Sequence, residues 1–117
     1  MDKLTIPQGA TLERVGDIAV VTIPGRSLDA SNSRQFKEFA ATEMIGEKKV
    51  VIDLSQLRFV DSSGLGVLLS CFRQVKSSGG ALGLCGMSKP VRSLFELVRM
   101  HRVFDIYETK EQAIQAL

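Results

Sequence analysis

The sequence predicts an α/β fold: a single domain over residues 1–117 with a mixed, mostly parallel sheet of about four to five strands, an antiparallel hairpin at its N-terminal edge, and about four helices. Three observations carry this expectation. Val50, Val51, Ile52 and Leu54 form a compact aliphatic run, the pattern of a strand buried on both faces. Strand-like and helix-like stretches then alternate to the C-terminus, which implies parallel pairing through right-handed helical crossovers. Near the N-terminus, two β-prone runs stand back to back across Gly16-Asp17, a short turn signal typical of a hairpin.

In chain order, Thr11 to Val15 and Ile18 to Pro24 are the hairpin strands. Pro24-Gly25 ends the second, because proline cannot donate to a ladder, and a loop through Leu28 and Asp29 leads to a helix. Ser31 or Asn32 can cap that helix; Phe36, Phe39, Ala40 and Met44 give its buried stripe, and Gly46 closes it. The central strand from Val50 follows, then a turn over Ser55 to Val60.

Asp61 supplies a short carboxylate able to accept from the free amides of the next helix, whose first turn holds Ser62 and Ser63. At helical spacing Leu65, Leu68, Leu69, Phe72 and Val75 fall on one side and should be buried. The opposite side collects Ser62, Gly66, Ser70, Arg73 and Ser77, with Ser63 and Gln74 at its edge. Solvated helix faces usually carry Glu, Lys and Gln, which propagate a helix better than Ser or Gly. Two readings of this low face stand: glycine for tight packing and serine for ordinary capping, or a docking surface that lets another protein's backbone approach a modifiable hydroxyl.

Ser77-Ser78-Gly79-Gly80 breaks the helix; it follows a helix and precedes a strand, so it is a turn and not a phosphate cradle. Ala81 to Gly86 is the next strand, and Ser88 with Pro90 starts a helix burying Val91, Leu94, Phe95 and Val98. Phe104 to Tyr107 is a short strand, and Thr109-x-x-Gln112 is a capping-box sequence opening a last helix with Ala113, Ile114 and Leu117.

Composition narrows the function classes. At 117 residues the chain holds one core, burying roughly two thirds of the surface its unfolded form would expose. A net charge of +2, with basic residues scattered apart from Arg99, His101 and Arg102, gives no basic stripe for nucleic acid. No apolar run approaches the ~20 residues of a membrane span, and MDKLTIPQGA lacks a signal-peptide core, so a cytoplasmic protein without membrane insertion is expected. Cys71 and Cys85 sit among apolar residues without metal-ligand spacing and read as reduced core thiols.

Catalysis is not expected. His101 is the single histidine, and neither a Gly-x-Ser-x-Gly elbow nor a Cys/His pair accompanies it. Asp53 and Asp61 have turn and cap roles and do not make a metal cluster, and no cofactor is implied. A receiver domain would also place an Asp at the end of a buried strand, but the stretch VVTIPGRS offers no acidic pair for magnesium.

The stretch from Val50 to Ser70, VVIDLSQLRFVDSSGLGVLLS, resembles the signature of the STAS family, the domain shared by bacterial anti-sigma factor antagonists and the cytosolic tails of sulphate transporters. The likeness rests on Asp53-Leu54-Ser55 followed by Asp61-Ser62-Ser63-Gly64-Leu65-Gly66, with Gly25-Arg26-Ser27-Leu28-Asp29 resembling the family's loop upstream. The resemblance implies a non-enzymatic switch in which Ser62 is phosphorylated by an anti-sigma factor serine kinase of GHKL type and restored by a PP2C-type phosphatase. It implies a partner surface of Asp29, Asp61, Ser63, Gly64, Gly66, Val67, Ser70 and Arg73. Ser63 is also a possible acceptor, and only the resemblance ranks Ser62 above it. The same family leaves a second role open, a non-phosphorylated scaffold or accessory subunit of a transporter or signalling complex.

Overall fold

A computed structural model describes residues 3–5 and 9–117; part of the N-terminal stretch read for a signal peptide therefore lies outside the described residues. The strands are β1 (Lys3–Thr5), β2 (Thr11–Val15), β3 (Ile18–Thr22), β4 (Ser27–Leu28), β5 (Lys49–Asp53), β6 (Phe59–Val60), β7 (Ala81–Cys85) and β8 (Asp105–Tyr107). The helices are α1 (Ser33–Glu43), α2 (Ser62–Ser77), α3 (Lys89–Leu97) and α4 (Lys110–Ala116), with a 3₁₀ turn at Met100–Arg102. The α/β class, the mixed sheet and the antiparallel hairpin are as expected.

Strand order in the main sheet is β1-β2-β3-β5-β7-β8. Val15 pairs with Ile18, so Gly16-Asp17 alone makes the hairpin turn, and Gly16 takes the positive φ of 63° that such a turn requires. β3, β5, β7 and β8 then run parallel, each joined to the next through a helix. Two features were not anticipated. The β1 strand pairs outside β2, and β4 with β6 forms a separate two-stranded parallel sheet. The latter replaces the loop at Leu28 and the turn expected up to Val60, because two residues per strand are too short for a periodic pattern to register.

The parallel strands are buried on both faces, which is why they read as continuous apolar runs. Ala19 and Val21 of β3 and Val50 and Ile52 of β5 point into the larger core under α1, α2 and α3. Ile18, Val20, Val51 and Cys85 point the other way, onto Ala113 of α4, with Tyr107, Ile114 and Leu117 at the margin. The α1 stripe of Phe36, Phe39, Ala40 and Met44 is buried as expected, and α1 packs beside α2. Its cap position is Asn32, yet the Asn32 side chain makes no cap bond and braces the preceding loop instead.

The buried stripe of α2 is rotated from its expected position. Gly64, Val67, Leu68, Cys71 and Val75 are buried, while Leu65, Leu69 and Phe72 are half-buried flanks. A helix lying close over a sheet places its small residues on the line of nearest approach and turns its large ones to the sides. Val98 is a second correction: it is 40% exposed, since α3 stops at Leu97 and the chain turns away through Arg99 in the left-handed conformation. At the other end of the chain the Thr109 capping box is present in full, its hydroxyl accepting from Gln112 N–H while Gln112 Oε1 accepts from Thr109 N–H.

Candidate functional site

The first turn of α2 is where the singled-out residues converge. Asp61 has extended backbone, as an N-cap must, and its Oδ1 accepts from Gly64 N–H at 3.0 Å. Its Oδ2 reaches out of the helix to accept from Ala30 N–H at 3.1 Å. One carboxylate therefore closes the helix end and ties it to the loop after β4. The β4–β6 pairing makes the same link through the backbone: Leu28 lies opposite Val60, and Leu28 C=O accepts from Asp61 N–H at 3.3 Å.

That loop is internally braced around Asp29. Asp29 Oδ1 accepts from Ser31 Oγ at 2.6 Å and Ser31 N–H at 2.9 Å, and Oδ2 accepts from Ser27 Oγ at 2.9 Å. These donors, the Ser31 hydroxyl foremost, then the Ser31 amide and the Ser27 hydroxyl, hold the Asp29 carboxyl below its usual range. Asn32 Oδ1 accepts from Asp29 N–H, and Asn32 Nδ2 donates to Ser27 C=O. The two aspartates that sequence reasoning picked out separately thus belong to one rigid ledge, joined through Ala30.

Ser62 stands on this ledge at the first helical position, exposed, whereas Ser63 is half-buried. Roughly 100° of helix separates them. Gly66 and Arg73 are exposed and Ser70 is half-buried, so the low polar side lies open along α2. An added Cβ at Gly66 would meet nothing within 4 Å. Arg73 lies eleven positions after Ser62, about 16 Å along the axis, so a partner touching both spans about three turns.

Two expected surface residues are not on the surface. Gly64 is buried: a Cβ there would lie inside van der Waals contact with the Leu28 carbonyl oxygen and 2.9 Å from Val60 Cγ1. Val67 is 7% exposed and belongs to the core. Gly64 faces inward because the first turn of α2 rests on the β4–β6 pair, a neighbour the sequence did not reveal, and Val67 joins the main core on the same side of the helix. Nothing in the sequence pointed to Ala30 or Phe59 here, and Ser27 and Asn32 were expected only as loop and cap residues. Phe59 is 55% exposed beside buried Val60, an out–in placement that two adjacent apolar residues do not announce.

The buried thiols are unsuited to chemistry. Desolvation pushes both Cys71 and Cys85 up to about 12, and for Cys85 the Asp53 carboxylate adds to the effect. No group of three or more metal-ligating side chains occurs among the described residues. None of the described helices is long and apolar enough to cross a membrane.

Comparison with known proteins gives a consistent set. The STAS domain family model matches residues 10–113. The anti-sigma-B factor antagonist of Listeria monocytogenes is 30% identical over 95 residues, covering 80% of this chain and 82% of its own. A crystal structure from Thermotoga maritima, provisionally named an anti-sigma factor antagonist, superposes with a TM-score of 0.83 at 27% identity, covering 90% of this chain and 91% of that one. The phosphorylated form of the Bacillus cell fate determinant SpoIIAA superposes with a TM-score of 0.69 at 25% identity, over 92% and 98% of the two chains.

Proposed function

Since this chain belongs to the STAS domain family, we propose that it is an anti-sigma factor antagonist whose binding to its partner is switched by phosphorylation of Ser62. The observation that carries this reading is the setting of Ser62: an exposed hydroxyl on a braced ledge, at the start of an open helix face of small residues. In the unmodified state the face from Ser62 through Gly66 and Ser70 to Arg73, with Asp29 and Asp61 at its end, docks on an anti-sigma factor that is also a GHKL-type serine kinase. That engagement frees a sigma factor, which sets the work in the cytoplasm. The role is regulatory and not enzymatic; the chain is a substrate of the chemistry and performs none.

In the modifying step Ser62 Oγ forms a bond to the γ-phosphorus of ATP, the bond from that phosphorus to the β–γ bridging oxygen breaks, and ADP leaves. The hydroxyl proton passes to a base of the kinase. A PP2C-type phosphatase reverses the state by adding water across the phosphoester, returning the serine hydroxyl and inorganic phosphate.

Physical chemistry supports tolerance of the phosphate by the fold. A group carrying about −1.5 to −2 charges at a helix N-terminus is favoured by roughly 0.3 to 1 kcal/mol through the dipole and free amides. At the surface the balance is opposite. A dianion beside Asp61 and Asp29 adds like charge to the docking end, and a misplaced charge in an interface costs several kcal/mol, each 1.4 kcal/mol being about tenfold in affinity. One phosphate can therefore weaken binding about a thousandfold. Phosphorylation of SpoIIAA, a relative of the same fold, supports the reading.

The test is affinity for the kinase. Ser62→Ala should bind constitutively and Ser62→Asp weakly, with both unfolding at the wild-type temperature; equal affinity of the two variants would sink the switch. A scaffold or accessory subunit that is never phosphorylated is the second reading, and the family's occurrence in transporter tails keeps it in view.

A further inference from the structure

Five of the six phenylalanines are buried or half-buried against the core, and the sixth, Phe59, is left outside it. More than half of its surface is open to solvent, at 55% exposure. In β6 it is Val60, at 1% exposure, that points inward to meet Leu28 and Gly64, and Phe59 occupies the outward position opposite Ser27. A polar residue at 59 would keep the same ladder bond, Phe59 N–H to Arg26 C=O at 3.1 Å.

Two arginines neighbour Phe59, Arg58 along the chain and Arg26 through a backbone hydrogen bond. Arg58 is exposed, and its Nη1 donates to Ser55 C=O and Leu57 C=O, each at 3.1 Å, which fixes the guanidinium over the turn. Arg26 is exposed and adjacent through its carbonyl, which accepts from both Arg58 N–H and Phe59 N–H. Among the described residues neither arginine forms an ion pair. Beyond Val60 the same strand runs directly into Asp61 and Ser62. Exposed aromatic and arginine side chains are the types enriched in interface centres, where lysine and glutamate are depleted.

We infer that Phe59, with Arg26 and Arg58 as its rim, is the anchor by which the partner kinase holds this protein, seated in an apolar pocket of the kinase whose edge carries carboxylates. This rests on the reading of Ser62 as the kinase's target, and it adds a division of labour. The small face of α2 permits approach and carries the switch, while the aromatic side chain supplies affinity that phosphorylation does not remove by itself. The continuity of β6 with the N-cap of α2 puts anchor and target on one rigid element, so one docked pose serves both.

The experiment measures affinity of the kinase, identified by its transfer of phosphate to Ser62, for wild type, Phe59→Ala, Phe59→Leu and the double variant Arg26→Gln, Arg58→Gln. Phe59→Ala should weaken binding by about tenfold or more, Phe59→Leu should recover most of it, and the arginine pair should lower the association rate and its salt dependence. Thermal unfolding should match wild type in each, since the altered side chains lie outside the core. A kinase that phosphorylates Ser62 yet binds Phe59→Ala as tightly as wild type overturns the anchor and leaves the Ser62 switch standing. Loss of a concentration-dependent dimer of wild type on Phe59→Ala, by sedimentation, would assign the ring to a second copy of this chain and also overturn it. If no kinase of the cell transfers phosphate to Ser62 of wild type, the switch and the anchor are overturned together.

Discussion

Gly64 and Gly66 lie two positions apart on one helix and answer to different demands. At Gly64 the helix comes so close to the strand at Leu28 that no side chain fits, and the residue is glycine because the fold requires it. At Gly66 a side chain would project into open space, and glycine costs the helix about 1 kcal/mol relative to alanine with no return in packing. Tight packing thus explains the glycine on the inward side of the helix, and it does not explain the one on the low face. The second glycine, with Ser62, Ser70 and Arg73 on the same side, is where a reason outside the fold is needed, and a docked partner supplies one.

The contrast can be broken at either residue. The largest effect on stability is expected from Gly64→Ala, which must push α2 away from β4 and should lower the unfolding free energy by about 3 kcal/mol, measured by chemical denaturation. A loss below about 1 kcal/mol would mean the helix end shifts freely and the ledge is not rigid. Gly66→Arg should act in the opposite way. Its stability should equal or exceed wild type, while a long side chain on the open face should cut kinase affinity by about a hundredfold. Gly66→Ala sharpens the point: stability should rise by about 1 kcal/mol with little change in binding, a methyl group being small enough for a close-packed partner to accommodate. If Gly66→Arg binds as wild type does, the interface lies elsewhere.

A smaller effect concerns the other half of the ledge. The Asp29 carboxyl is held low chiefly by Ser31, so Ser31→Ala should move its titration, followed by carboxyl carbon chemical shift, upward toward the ordinary aspartate range. The sign follows from the depressed value: the loop's bonds favour the charged carboxylate, are complete above the pKa of an unfolded aspartate, and are lost as acid protonates Asp29 below it. An unmoved titration would show that the Ser31 hydroxyl is not what holds the carboxylate.

What could be read from the sequence was what is local. The Gly16-Asp17 turn and the Thr109-x-x-Gln112 box each close within a few residues, so their chemistry is complete in the sequence that spells them. The buried strand at Val50 to Ile52 was equally legible, because burial on both faces leaves no polar alternation to confuse. The ledge was not. Asp61 was recognised as a cap from its neighbours, but its second oxygen bonds a residue 31 positions away, and nothing near Asp61 announces Ala30. The inward role of Gly64 and the outward turn of Phe59 follow from the same unseen strand pair.

The measurement that bears most directly on the switch is phosphate mapping by mass spectrometry on protein purified from its own cells, with and without a phosphatase inhibitor. Phosphate on Ser62, increased by the inhibitor, is the expected result. Phosphate confined to Ser63, or an unmodified peptide across several growth conditions, would contradict it.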